Sequence, residues 1–170
     1  MRITQLAKPV VAAVNGVAAG AGANIALACD VVIATESASF IQAFSKIGLI
    51  PDSGGTWMLP RLIGYQKASA LMMLGEKVSA ADAERMGMIY KYVPDATFME
   101  ECLKVANTLA AMPTQGLALT KKALTAGMNQ PLAEQLDLEE KLQIQAGQTA
   151  DYTEGVAAFL EKRKPVFVGR

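Results

Sequence analysis

The sequence predicts an α/β fold in which short parallel strands alternate with helices over residues 1–94, and helices alone fill residues 95–170. Two observations carry that prediction. Apolar runs at Val10–Val14 and Val31–Thr35 flank a Gly/Ala-rich helix ending near Cys29, which is the strand–helix–strand rhythm of a parallel sheet. Beyond Pro94 such runs stop. Phe98, Cys102, Val105, Leu109 and Met112 then recur at helical spacing until Pro113 ends the stripe.

Taken in order, Val10–Val14 reads as a short buried strand and Asn15-Gly16 as a turn, after which the Gly/Ala run opens the first helix. Val31–Thr35 and Ala38–Ala43 read as the next strands. Ser79–Met86 reads as a short helix with Ser79 as N-cap, stopped by Gly87 and followed by a strand over Met88–Val93. Helices follow over Thr114–Met128, Leu132–Gln148 and Tyr152–Arg163, separated by Pro131 and the Gly147–Asp151 stretch.

Composition excludes several function classes. Sixteen basic residues balance sixteen acidic ones, so no net field draws the chain to nucleic acid or to an anionic membrane. The absence of histidine removes Ser-His-Asp, Cys-His and most zinc chemistries, and no metal site is expected. Pro9 to Cys29 is uncharged and contains Gly16-x-x-x-Gly20, but Pro9, Asn15, Asn24 and the glycines break it into two buried elements rather than a membrane span. Gly20-x-Gly22 lacks the third glycine of a dinucleotide fingerprint, and no Gly-Lys-Ser/Thr follows. Cys29 and Cys102 have neither metal nor redox spacing, so buried free thiols in a reducing cytoplasm are expected. The chain is 52% hydrophobic with positive mean hydropathy, a surplus that predicts association of the helical tail with neighbouring subunits.

Gly48-Leu49-Ile50-Pro51-Asp52-Ser53-Gly54-Gly55-Thr56 sets one acidic side chain in a turn of apolar and small residues. A carboxylate in a partly dry pocket is a stronger proton acceptor, whereas an Asp at such a place can equally N-cap the helix that follows. Upstream, the small residues of Asn15-Gly16-Val17-Ala18-Ala19-Gly20-Ala21-Gly22-Ala23-Asn24 would let a ligand approach free N–H groups at a helix start.

These two segments, with Leu74–Ala83, Gly87-Met88-Ile89 and Glu154–Arg163 in the same order, resemble the enoyl-CoA hydratase/isomerase (crotonase) superfamily over essentially the whole chain. The resemblance implies a ββα spiral, with residues 1–94 as its C-terminal part and residues 95–170 as an oligomerisation region that builds trimers or hexamers. Against the family pattern, the N-terminal third of the domain is missing from this chain. That third carries a second oxyanion amide and much of the CoA-binding loop, and little turnover is expected without it. Coenzyme A would be part of the acyl-CoA substrate, with no separate cofactor.

The family's chemistry stabilises a thioester enolate with two backbone N–H groups while a carboxylate moves protons. By the resemblance, one amide falls at Ala21, with Gly20 and Gly22 allowing close approach. The two glutamates of family hydratases fall on Asn24 and Phe44, neither of which can act as a base. Asp52, eight residues after Phe44, matches an aspartate kept by family isomerases. Asn15–Ala23, Ala43–Trp57 and Ala150–Val156 match the branch that isomerises ring-1,2-epoxyphenylacetyl-CoA. Asp52 would shuttle the proton; Phe44 and Trp57 would line the acyl pocket or simply fill the core. Phe159 and Lys162 match positions that help a neighbouring subunit hold CoA, although Lys162 also suits a solvated helix end. An isomerase leads this reading, with a hydratase and a non-catalytic assembly fragment as alternatives.

Overall fold

A computed structural model describes residues 2–170, and the chain divides into two compact units. After the single helical turn α1 (Arg2–Gln5), the first complete unit runs from Val10 to Lys104. It contains β1 (Val11–Val14), β2 (Val17–Ala19), α2 (Ala21–Leu27), β3 (Val31–Thr35), β4 (Ser39–Ile41), α3 (Gly55–Ile63), α4 (Tyr65–Leu74), β5 (Lys77–Ser79), α5 (Ala80–Arg85) and β6 (Lys91–Val93). A 3-10 turn over Ala43–Ile47 leads into the Asp52 turn.

The strands form two small sheets. In one, β3 lies between β1 and β6, all parallel, with Val11 opposite Val31 and Ala34 opposite Tyr92. The Val-Val-Ile-Ala-Thr run of β3 is buried from Val32 to Thr35, as expected for a central parallel strand covered on both faces. In the other, β4 pairs in parallel with β2 and antiparallel with β5. Leu27, Val32, Phe40, Leu59, Ile63 and Val78 belong to the core cluster of this unit. Each such side chain contributes about 1.5–3 kcal/mol by leaving water.

Three expectations need correction here. The helix opened by the Gly/Ala run starts only at Ala21; Val17–Ala19 is a strand, recruited by its ladder to Ser39–Ile41. Gly20, with φ of 54°, makes the break between strand and helix. The sheet is also not wholly parallel, because Lys77–Ser79 returns alongside β4. Other boundaries agree closely: Ser79 caps α5, its hydroxyl accepting from Asp82 N at 3.1 Å, and Gly87 follows at φ of 79°. Within the expected Met88–Val93 strand, only Lys91–Val93 is strand, while Met88 and Ile89 are buried in the core.

The second unit joins the stretch up to Pro9 with Val105–Arg170. It contains the end of α6 (Phe98–Ala110), α7 (Thr114–Gly127), α8 (Leu132–Gly147) and α9 (Ala150–Leu160). The buried Lys121 ammonium donates to Ile3 O at 2.7 Å, fixing the terminal turn to α7. Buried Asp151 accepts from Val168 N at 2.7 Å and Gly169 N at 2.9 Å, so α9 holds the C-terminal strap. No helix among the described residues is long and apolar enough to cross a membrane. Cys102 is buried, which pushes its thiol upward, but Cys29 is only half-buried, against the expectation of two buried thiols.

Candidate active site

Ala21 is the first residue of α2, and no side chain caps that helix. The first intrahelical bond runs from Asn24 N to Gly20 O at 3.2 Å, so the N–H groups of Ala21, Gly22 and Ala23 have no intrahelical acceptor. Gly20 is locked beneath them: its N–H donates to Ile41 O at 2.8 Å, and a Cβ built on it would stand 3.5 Å from the Phe44 ring. The nearly buried Phe44 thus packs on the backbone at the start of α2. Gly22, one residue on, is exposed.

Asn24 lies one turn further along α2 and is completely buried. Its Nδ2 donates to the main-chain carbonyl of Asp52 at 2.9 Å, and its Oδ1 accepts from Gln42 Nε2 at 2.8 Å. The same Asp52 carbonyl accepts from Gly55 N at 2.9 Å. Gly55 is buried against the Asn24 amide, and a Cβ there would fall 2.3 Å from Nδ2. The second glycine of the Gly54-Gly55 pair therefore supplies space. Only Gly54, at φ of 82°, needs glycine's conformational freedom.

Asp52 does not cap α3. Gly54 occupies the N-cap position and no side chain bonds there. The partly dry pocket expected around Asp52 is also not realised: Asp52 is exposed, and Leu49 and Ile50 beside it are 59% and 82% exposed. The turn projects outward because its buried anchors, Asn24 and Gly55, lie under its main chain rather than around its side chain. Trp57 is half-buried, and the Arg61 guanidinium stacks 4.3 Å from its ring centre while donating to Trp57 O at 2.9 Å.

Ala21, Asn24, Phe44, Asp52 and Trp57 thus belong to one unit, tied by the Asn24 and Gly20 contacts. Phe159 and Lys162 belong to the helical unit. Phe159 is 81% exposed on α9. Lys162 follows the helix end at φ of 55°, its N–H donating to Phe159 O at 3.3 Å, so its backbone closes α9. Gln42 and Gly55 were not singled out by sequence; the double glycine was the available signal.

This arrangement, an uncapped Gly/Ala helix start joined through a buried amide to an aspartate turn, coincides with a family match over the entire chain. The family model described as enoyl-CoA hydratase/isomerase matches residues 1–170, and the chain belongs to that family. Among its relatives, a Rhodobacter capsulatus protein described as "Probable enoyl-CoA hydratase" is 55% identical over 162 residues, 95% of this chain and 63% of that protein. The Escherichia coli "1,2-epoxyphenylacetyl-CoA isomerase" is 52% identical over 169 residues, 99% of this chain and 64% of that protein. The chain therefore spans less than two thirds of the length of either curated relative. The solved enoyl-CoA hydratase from Polaromonas superposes with a TM-score of 0.94 at 38% identity, covering 98% of this chain and 65% of that one. That structure carries the crotonase fold onto this chain, as the sequence predicts.

Proposed function

We propose that the protein is a CoA-thioester isomerase in which Asp52 moves the proton. One observation carries the reading. At the positions aligned by resemblance with the two glutamates of family hydratases stand a buried amide consumed in two hydrogen bonds, Asn24, and a nearly buried phenyl ring, Phe44. Neither can activate water. Asp52, whose carbonyl Asn24 holds, is exposed, and the exposed Leu49 and Ile50 beside it offer an apolar acyl group a place to lie.

The chemistry needs one base and an oxyanion site. With a β,γ-enoyl thioester, the Asp52 carboxylate removes a proton from the α-carbon, and the electron pair delocalises onto the thioester oxygen. The Ala21 N–H is proposed as one of two donors to that oxygen, with Gly20 and Gly22 keeping side chains away. Asp52 then returns the proton at the γ-carbon, leaving the double bond at α,β with no net gain of water. The acyl type supported by the 52% identical relative is ring-1,2-epoxyphenylacetyl. Trp57 and Phe44 would border the acyl group, and Phe159 and Lys162 would meet CoA held by an adjacent subunit.

A hydratase is the second reading, favoured by the name of the 55% identical relative. An oligomer, trimeric or hexameric, is part of the proposal. It would cover the open apolar groove of about 410 Å³ lined by Tyr152, Val156, Phe159 and Leu160, of which Phe159 and Leu160 are mostly exposed. A cytoplasmic setting is part of the proposal. The test is Asp52→Asn in the whole protein, because amide and carboxylate share a shape but only the carboxylate accepts a proton. Loss of isomerisation by about a hundredfold or more, with KM little changed, is expected. Retention of more than about a tenth of the rate would assign the base elsewhere.

A further inference from the structure

The turn that carries Asp52 is exposed along Ile47, Leu49 and Ile50, and contains three residues at positive φ, Gly48, Ser53 and Gly54. A carboxylate at the tip of such a segment has no fixed direction unless its main chain is anchored. The anchor is buried. Asn24 Nδ2 reaches the Asp52 carbonyl, and Gln42 Nε2 reaches Asn24 Oδ1. Asn24 is 0% exposed and Gln42 4%.

The order of these bonds is forced. A main-chain carbonyl only accepts, so Asn24 must present its NH2 to Asp52 and its oxygen to the other side. That oxygen in turn requires a donor, which fixes the Gln42 amide with its NH2 inward. Gln42 Oε1 is left buried with no protein partner among the described residues. Leaving an amide oxygen unpaired is unfavourable, so the orientation of Gln42 is dictated by Asn24 and not by its own best bonding. Gly55 completes the device, because any side chain there would occupy the place of the Asn24 amide.

We propose that Gln42 and Asn24 are positioning residues for Asp52, their hydrogen-bonded amides pinning its carbonyl and so setting the direction of its carboxylate. The proposal rests on the reading of Asp52 as the proton shuttle. It assigns Asn24 a role opposite in kind to the glutamate it replaces, since the side chain serves the neighbouring turn and never touches substrate.

The test uses Asn24→Leu, which keeps about the same volume but removes the donor, and Gln42→Met, which keeps the volume. The second carries the test if the first does not fold. Amide hydrogen exchange is read at Gly55, whose N–H shares the Asp52 carbonyl, and along β3 as an internal control. Isomerisation of a β,γ-enoyl-CoA by the whole protein is read as kcat and KM separately. Expected are about tenfold faster exchange at Gly55 with β3 unchanged, and a kcat lowered about tenfold with KM within about twofold. Unchanged exchange at Gly55, or equal acceleration in β3, overturns the proposal. So does a localised exchange response with kcat intact. A fully active Asp52→Asn variant is a separate outcome: it removes the shuttle reading itself, and the positioning role falls with it.

Discussion

Replacing Gly55 with alanine sets one added methyl group against the amide of Asn24. The new Cβ would stand 2.3 Å from Nδ2, 2.5 Å from Cγ and 2.6 Å from Oδ1. An exposed amide could swing aside at little cost, but this one is fully buried and bonded at both ends. Moving it forfeits two hydrogen bonds, together about 1–3 kcal/mol, and strands the Gln42 donor for about 1–3 kcal/mol more. Alanine's helix propensity returns at most about 1 kcal/mol, and Gly55 is at the first helical position, where the return is smaller. The net cost is about 2–4 kcal/mol. Trp57, the single tryptophan, lies two residues away and reports unfolding of this unit by fluorescence. With a urea slope of about 1–3 kcal/mol per molar, the midpoint should fall by about 0.7–4 M. In an Asn24→Ala background the obstruction is gone, so Gly55→Ala should cost less than about 0.5 kcal/mol, a coupling of at least about 1.5 kcal/mol. Equal costs in both backgrounds, or a silent single variant, would refute the reasoning.

Two further outcomes are expected. The Arg163 guanidinium grips both oxygens of Glu154, at 2.6 and 2.8 Å, and Val166 N donates to it as well, holding this carboxyl at about 2 instead of its ordinary 4.5. Because the folded value lies below the unfolded one, the contact contributes fully above about pH 4.5 and is lost as pH falls through about 2. The Val166 amide resonance should therefore titrate near pH 2, and not at all in Glu154→Gln; titration near 4.5 would mean the grip is absent in solution. Light scattering should give at least a trimer through the helical unit, and a monodisperse monomer would remove the assembly from the account.

Much of this fold was legible because its signals are local. The β-branched run Val31–Thr35 and the Ser79 cap lie where sequence puts them, each fixed by side chains within a few residues. The three-residue strands β2 and β5 were not legible, since Val17-Ala18-Ala19 and Lys77-Val78-Ser79 become strands only through the ladders they make with β4. At the site, Asn24 could be recognised as unable to act as a base. Its actual employment could not, because its partners are 18 and 28 residues away. The exposure of Asp52 was misjudged for a related reason. Apolar neighbours in sequence imply a dry pocket only if they fold over the carboxylate, and Leu49 and Ile50 face outward.

The central claim is that one carboxylate, Asp52, moves a proton where hydratases of the family activate water. It is tested most directly by measuring two rates on one preparation of the whole protein: conversion of a β,γ-enoyl-CoA to its conjugated isomer, and hydration of crotonyl-CoA. The account predicts that isomerisation is the faster and that Asp52→Asn abolishes it. Hydration outrunning isomerisation, or isomerisation surviving Asp52→Asn, would contradict it.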